Sequence, residues 1–442
     1  MKWHSPFLLA VIVLMVACHK DEQQGVKEGN MADEYVSLAR QSQSIDTAFK
    51  LFDRAEKFAS GTKNDTIVYE VLSEKSNYLV SYRPDSLPQT LHKLRNVVKR
   101  LGTKTAFGFY QSKMGDYYLH RNQYDSAFFY YDASARLLQQ AQTDSVTAAY
   151  DLMKVASIQQ VYNDYRGAEG TATDGIALLK DKDTIILKEL NNTLAISFSG
   201  IKDYQSALEY YERAAKLATD SLSKEVIEHN IAYTYGLMGN KKKASQLLTG
   251  LSKSKVINSE PYYRAMVLDN LGYVKLKSEG AEGLPLIRKA LEIATETNDL
   301  ESQSGIYLHL AEAYEEILPV ASLDFYREAY ATATAVNSID NRTAALQKLS
   351  LLEDGSNAKK YISTYFRLND SINEVRLKAK NQFAKWRYDL SESKKQNIKN
   401  QNQLALTKLQ KERNNIVYFL SLCLLIVSAV LLYFILRSKY KK

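Results

Sequence analysis

Chain breakers are scarce in this sequence. Its 442 residues include only 18 glycines and 6 prolines. Runs of alternating β-branched residues are also rare, while Ala, Leu, Lys, Glu and Tyr abound. That balance excludes a turn-rich β architecture and points to an all-α protein. Cysteine is scarcer still. Cys18 and Cys423 are the two present, each in an apolar segment, so neither a disulfide framework nor a cysteine-based metal site can be assembled. Catalytic motifs are missing as well. None of the six histidines (His4, His19, His92, His120, His229 and His309) stands in HExxH, and GxxxxGK, GxGxxG and GxSxG do not occur. The stretch Gly236 to Lys243 has a phosphate-loop flavour but the wrong spacing and no preceding strand. The expectation is therefore no enzyme, no cofactor and no metal.

Both ends carry membrane signals. Lys2 precedes the apolar run Phe7 to Ala17, which ends at Cys18. This run is too short to cross a bilayer, which takes about 20 residues. It has the parts of a secretory signal. Met15-Val16-Ala17-Cys18 resembles a bacterial lipobox with Met15 in place of the usual Leu, which would make Cys18 the lipidated first residue of the mature chain. The alternative is an ordinary signal peptide. At the other end, Ile416 to Leu436 has no charge over 21 residues, with Tyr418 and Tyr433 near its ends. At about 1.5 Å per residue it is long enough to span the hydrocarbon core. Arg437, Lys439, Lys441 and Lys442 follow at once, and the positive-inside tendency places that tail in the cytoplasm and the bulk of the chain in the periplasm.

The net charge of +8 is local. Residues 370–415 hold 11 Lys/Arg against 5 Asp/Glu, and the tail adds four more positive charges, so the rest of the chain is slightly acidic. A basic membrane-proximal stretch suits anionic lipid headgroups. It is no argument for nucleic acid.

A repeat fills the body. In residues 190–218, Leu194, Ala195 and Phe198 share one face of a first helix, and Ala207, Tyr211 and Ala214 share one face of a second. Similar sets are Met114, Gly115, Tyr118, Ala127, Tyr131 and Ser134; Ile231, Ala232, Tyr235, Ala244 and Leu248; Leu271, Gly272, Gly283, Ile287 and Ala290; and Leu310, Ala311, Tyr314, Ser322, Tyr326 and Ala329. The last small position recurs at 55, 134, 175, 214, 290 and 329, with Leu251 holding the place between, for a period near 39. Small residues let two helices approach, and aromatics fill the space between hairpins.

The pattern resembles the tetratricopeptide repeat, with a period somewhat longer than the usual 34 or so. The resemblance implies about nine hairpins stacked into a superhelix over 31–369, with the first helices lining a concave groove that takes a protein or peptide. Carried over position by position, the groove candidates are Ser112 and Asp116; Asn192, Ile196 and Ser199; His229 and Tyr233; Asp269 and Tyr273; and Glu312 and Glu315. The competing reading of each is a solvated helix face.

Residues 370–415 contain neither Gly nor Pro. Ile372, Val375, Ala379, Phe383, Trp386 and Leu390 fall three or four apart, a helical seam that then turns polar at Ser393, Asn397 and Asn400. It suits either a homodimeric coiled coil or a solvated helix that folds back on the last hairpin through Phe383 and Trp386. The expected organisation is thus a signal peptide (1–18), a flexible linker (19–30), the array (31–369), a helical connector (370–415), a transmembrane helix (416–436) and a basic tail (437–442). The layout resembles bacterial exported repeat sensors without their cytoplasmic output domain. It implies a membrane-anchored protein- or peptide-binding scaffold of the envelope. The alternative is the periplasmic sensing subunit of a system whose output lies on another chain.

Overall fold

The structure, a computed structural model, describes residues 27–179 and 183–439. The signal segment with Cys18, most of the expected linker and the last three residues of the tail lie outside the described residues. Within them every regular element is helical. The first two hairpins are α1 (residues 27–41) with α2 (Ile45–Gly61), and α3 (Asp65–Tyr82) with α4 (Leu87–Leu101). Then come α5 (Lys104–His120) with α6 (Tyr124–Ala141), α7 (Ser145–Val161) with α8 (Tyr165–Leu179), and α9 (Thr184–Gly200) with α10 (Tyr204–Leu217). The next pair is α11 (Ser221–Leu237) with α12 (Lys241–Leu251), followed by a single short helix, α13 (Lys255–Ser259). The series closes with α14 (Pro261–Glu279) and α15 (Leu284–Glu296), α16 (Leu300–Tyr314) and α17 (Pro319–Ala335), and α18 (Ile339–Leu352) with the start of α19 (Gly355–Lys439). Residues 27–30, the last four of the expected linker, are already helical. The described residues form two compact units that divide between Asn381 and Gln382.

The turns explain why each first helix stops where it does. Asn122, Asn163, Lys202 and Gly239 all have positive φ and recur at nearly one repeat period. Each reverses the chain into the left-handed region, so the next amide reaches back five residues: Asp164 N donates to Gln159 O at 2.8 Å, Asp203 N to Phe198 O at 2.9 Å and Asn240 N to Tyr235 O at 2.9 Å. The same three residues then start the second helix, their side chains accepting from the amides of Gly167, Ser206 and Lys243. One short polar sequence thus ends one helix and caps the next.

Small residues sit at the helix crossings, as the repeat spacing predicts. Ala55, Ser134, Ala214, Ala290 and Ala329 are fully buried. In the fifth hairpin, Ala207 is fully buried, and Phe198 stacks on Tyr210 with ring centroids 5.3 Å apart. The α14–α15 crossing is tighter. A Cβ on Gly283 would lie 2.0 Å from the Gly272 carbonyl oxygen, so no other residue fits there without moving a helix. The large residue at Leu251, where the repeat otherwise has a small one, also has a cause. The inserted α13 covers the end of α12, and Leu251 is buried in a cluster with Ile257 and Val267, where a large apolar residue is needed.

In the second unit, Ile398, Leu404, Leu406 and Leu409 are exposed on α19, and Ile398–Tyr433 contains a window long and apolar enough to cross a membrane, with mean hydropathy 2.6. Of the expected dimer seam, Ala379 and Phe383 are buried within the chain, while Val375 is 51% exposed.

The crossing at Ala207 gives a direct check. Replacing it by Leu adds three carbons to a closed space and is expected to cost about 1–3 kcal/mol. Glu209→Gln, on the exposed side of the same helix, should leave the thermal midpoint unchanged. Equal midpoints for both variants would contradict the register.

Candidate functional site

The first helices of successive hairpins touch one another: α3 meets α5, α5 meets α7, α7 meets α9, α11 meets α14, α14 meets α16 and α16 meets α18. They therefore form two runs of neighbouring first helices, α3 to α9 and α11 to α18, which the Lys188–Ser223 hydrogen bond joins between α9 and α11. Hydrogen bonds one repeat apart tie this inner face together. Gln160 Nε2 donates to Thr193 O at 2.7 Å and to Ser197 Oγ at 2.8 Å. Lys188 donates to Ser223 Oγ at 3.1 Å, and Asn341 to Ser304 Oγ at 2.7 Å.

The face has three regions. Around α5–α7 it is closed. Ser112 donates to Asp151 Oδ1 at 2.6 Å, and Asp116 accepts from Lys113, Tyr131 and Tyr150 at 2.7–2.8 Å. Ser112 and Asp116 are buried. They are joints, not open groove positions, because Asp151 of α7 takes the Ser112 hydroxyl, and Tyr131 of α6 and Tyr150 of α7 take the Asp116 carboxylate. Complete burial pushes the Asp151 carboxyl well above the usual carboxylate range.

Around α9, α11 and α14 the face opens into a cleft of about 240 Å³, lined by Lys188, Glu189, Asn192, Leu222, Ser223, Val226, Ile227 and Tyr263. Oδ1 of Asn192 is buried there, with no hydrogen-bond partner among the described residues. Leaving a buried acceptor unpaired costs roughly 1–3 kcal/mol. Ile196 is half-buried and packs on the α9–α11 core, Ser199 is half-buried, and Tyr233 is 50% exposed.

Around α14–α18 the face is polar. Asp269 holds His309 Nδ1 at 2.9 Å from both of its oxygens, and the imidazole stacks on Tyr273 with centroids 4.1 Å apart. Tyr273 and Lys277 both donate to Glu312, at 2.9 and 3.1 Å. Lys348 donates to Glu315 at 2.6 Å, and Tyr326 also bonds Glu315. His229 pairs with Asn270 at 2.9 Å, and burial holds its imidazole below its ordinary pKa. Burial also works against the charged form of His309, but Asp269 outweighs it and the imidazole titrates above its ordinary value. For Glu315, burial is likewise outweighed, here by Lys348 and Tyr326, and its carboxyl is held low.

The structure thus joins Asp269, Tyr273, Glu312 and Glu315 in one polar track and puts Asn192 in the cleft. His309, Lys188 and Tyr263 are the additions. For His309 the signal was its position one period, 40 residues, after Asp269.

The array resembles solved structures over most of its length. These include a Rap protein complexed with competence and sporulation factor (13% identity, 79% of this chain and 99% of that one, TM-score 0.58) and the apo quorum sensor NprR from B. thuringiensis (14%, 78% and 97%, TM-score 0.58). NprR in complex with its cognate peptide NprX also matches (14%, 78% and 98%, TM-score 0.51). By sequence, no protein-family model and no curated protein matches the chain. The likeness is one of fold, the tetratricopeptide-like fold that the repeat spacing predicts.

The Asp269–His309 pair carries a pH signature. Because the folded pKa of His309 lies above its ordinary 6.5, its stabilisation is full below that value and is lost as pH rises through the folded pKa. Thermal midpoints measured from about pH 5 to 8 should show wild type most ahead of Asp269→Asn at the acid end, with the gap closing upward. A gap that widens with pH would contradict the assignment.

Proposed function

We propose that this chain is a membrane-anchored receptor or scaffold that binds an extended peptide segment along the inner face of its first helices. One observation carries the reading: an open cleft between three first helices with an unpaired acceptor, Asn192 Oδ1, inside it. A peptide backbone N–H satisfies that acceptor, and Leu222, Val226, Ile227 and Tyr263 suit an apolar side chain beside it. Two proteins of the same fold, Rap and NprR, are known with a factor or peptide bound, which supports this ligand class.

Anchoring belongs to the same reading. The apolar stretch of α19 is the membrane span, the basic tail lies in the cytoplasm, and the array stands in the periplasm, with Cys18 as a second, lipid anchor. Because Ala379 and Phe383 are buried, a homodimer through the connector would use the exposed Ile398, Leu404, Leu406 and Leu409. The sensing-subunit reading draws support from α19, a single helix that leads from the last hairpin into the apolar span. Exchanging that span for an unrelated one separates the two: a scaffold keeps its function and a sensor loses it.

Panning a random peptide library on the detergent-solubilised full chain tests the site. Selected peptides should lose about tenfold in affinity against Asn192→Ala, the loss of one hydrogen bond of roughly 1.4 kcal/mol. They should be unaffected by Glu209→Gln. Undiminished binding to Asn192→Ala would remove the cleft from the proposal.

A further inference from the structure

The joint between the third and fourth hairpins buries more negative than positive groups. Lys113 and Asp116 of α5 and Asp151 of α7 are 8%, 5% and 0% exposed. Two carboxyls therefore share one ammonium, and Asp116 takes it. Lys113 donates to Asp116 at 2.7 Å, and the phenols of Tyr131 and Tyr150 donate to the same carboxylate. Asp151 is left with one donor, the Ser112 hydroxyl on Oδ1 at 2.6 Å. Its Oδ2 is buried with no hydrogen-bond partner among the described residues. Lys154, one turn further along α7, is half-buried and holds its ammonium over the Tyr150 ring, 5.1 Å from the centroid. Toward α8 and α9 the same helix is apolar, where Ala149, Met153 and Ala156 pack with Ala168 and Leu190.

Ser134 of α6 shows which form of Asp151 the joint is built for. It acts on the Asp151 carboxyl, but its only hydroxyl proton already goes to the Gly108 carbonyl at 2.7 Å. Ser134 can thus accept from Asp151 and cannot donate to it. An ionised carboxylate has nothing to donate. A protonated one does, and it keeps Oδ1 free to accept from Ser112. The neutral acid suits both serines and brings the buried charge to zero, which an interior favours.

We propose that the joint between the third and fourth hairpins stores one proton on Asp151, and that the joint loosens when this proton leaves. Ionised Asp151 would set two buried carboxylates against one ammonium, and water would have to enter between α5, α6 and α7 to solvate the second. The direction follows from linkage. The folded chain holds a proton that an exposed aspartate gives up from about pH 4 upward, so stability is full below that range and is lost as pH rises toward the folded titration point. Burial sets that point well above the ordinary carboxylate range. The device needs no ligand and is independent of the peptide-binding reading.

Hydrogen exchange on the detergent-solubilised full chain, from about pH 5 to 8 and corrected for the intrinsic rate, tests it. Asp151→Asn keeps the shape, one acceptor and one donor, and cannot ionise. Protection of α5 and α7 in the wild type, relative to this variant, should fall with pH by up to about tenfold per unit, the limit for one linked proton. Protection of α16 and α17 should keep a constant ratio. A flat ratio in α5 and α7 would mean an ionised carboxyl throughout and overturns the stored proton. An equal fall in α16 and α17 overturns the local loosening. If Asp151→Asn does not fold, the wild type is read by infrared spectroscopy. At pH 7 it should show the carbonyl band of an un-ionised carboxylic acid, and in Ser112→Ala that band should persist to higher pH, because the ionised form has lost its donor. No band at pH 7, or a band that Ser112→Ala leaves unmoved, also overturns the stored proton.

Discussion

The close crossing of two helices at small residues is the constraint on which the rest depends. Ala207 is fully buried beside Ala195 of α9, and at Gly283, against the Gly272 carbonyl, nothing larger than glycine fits. The short distance between the paired helices fixes the hairpin. Aromatics such as Phe198 and Tyr210 then fill the space that small residues leave to either side. Because the same crossing recurs at nearly one period, the hairpins stack in one register, and their first helices are brought side by side.

That alignment produces the inner face. A side chain on one first helix finds its partner about 40 residues later, as Asp269 finds His309 and Tyr273 finds Glu312. Where both partners are present, the face is tied and closed, as at Asp116 with Tyr131 and Tyr150. Where the partner is lacking, as at Asn192, the face is open and carries an unsatisfied acceptor.

The hairpins were legible in the sequence because three- and four-residue spacings of Ala, Gly and Tyr report directly on helix faces. Asn192, Asp269, Tyr273 and Glu312 were legible as first-helix positions for the same reason. Burial was not. Ser112 and Asp116 occupy equivalent positions, but Asp151 bonds the first and Tyr131 and Tyr150 the second from other helices, and no local spacing reveals that. The cleft was out of reach too, since Lys188, Ser223 and Tyr263 converge from three hairpins. The five-residue α13 looks like loop in sequence and shows itself only by the large Leu251 it covers. The connector seam was visible, but whether Ala379 and Phe383 face a second chain or their own was a tertiary matter.

The central claim is that partners meet the first helices and not the second. Photo-crosslinking in cells that express the full chain tests it most directly. Benzoylphenylalanine at Tyr233, on the first helix α11, is compared with the same group at Phe129, on the second helix α6. The two positions are matched in exposure, at 50% and 54%. The account predicts a discrete adduct from position 233 and none from position 129. Adducts from 129 alone, or equally from both, would contradict it.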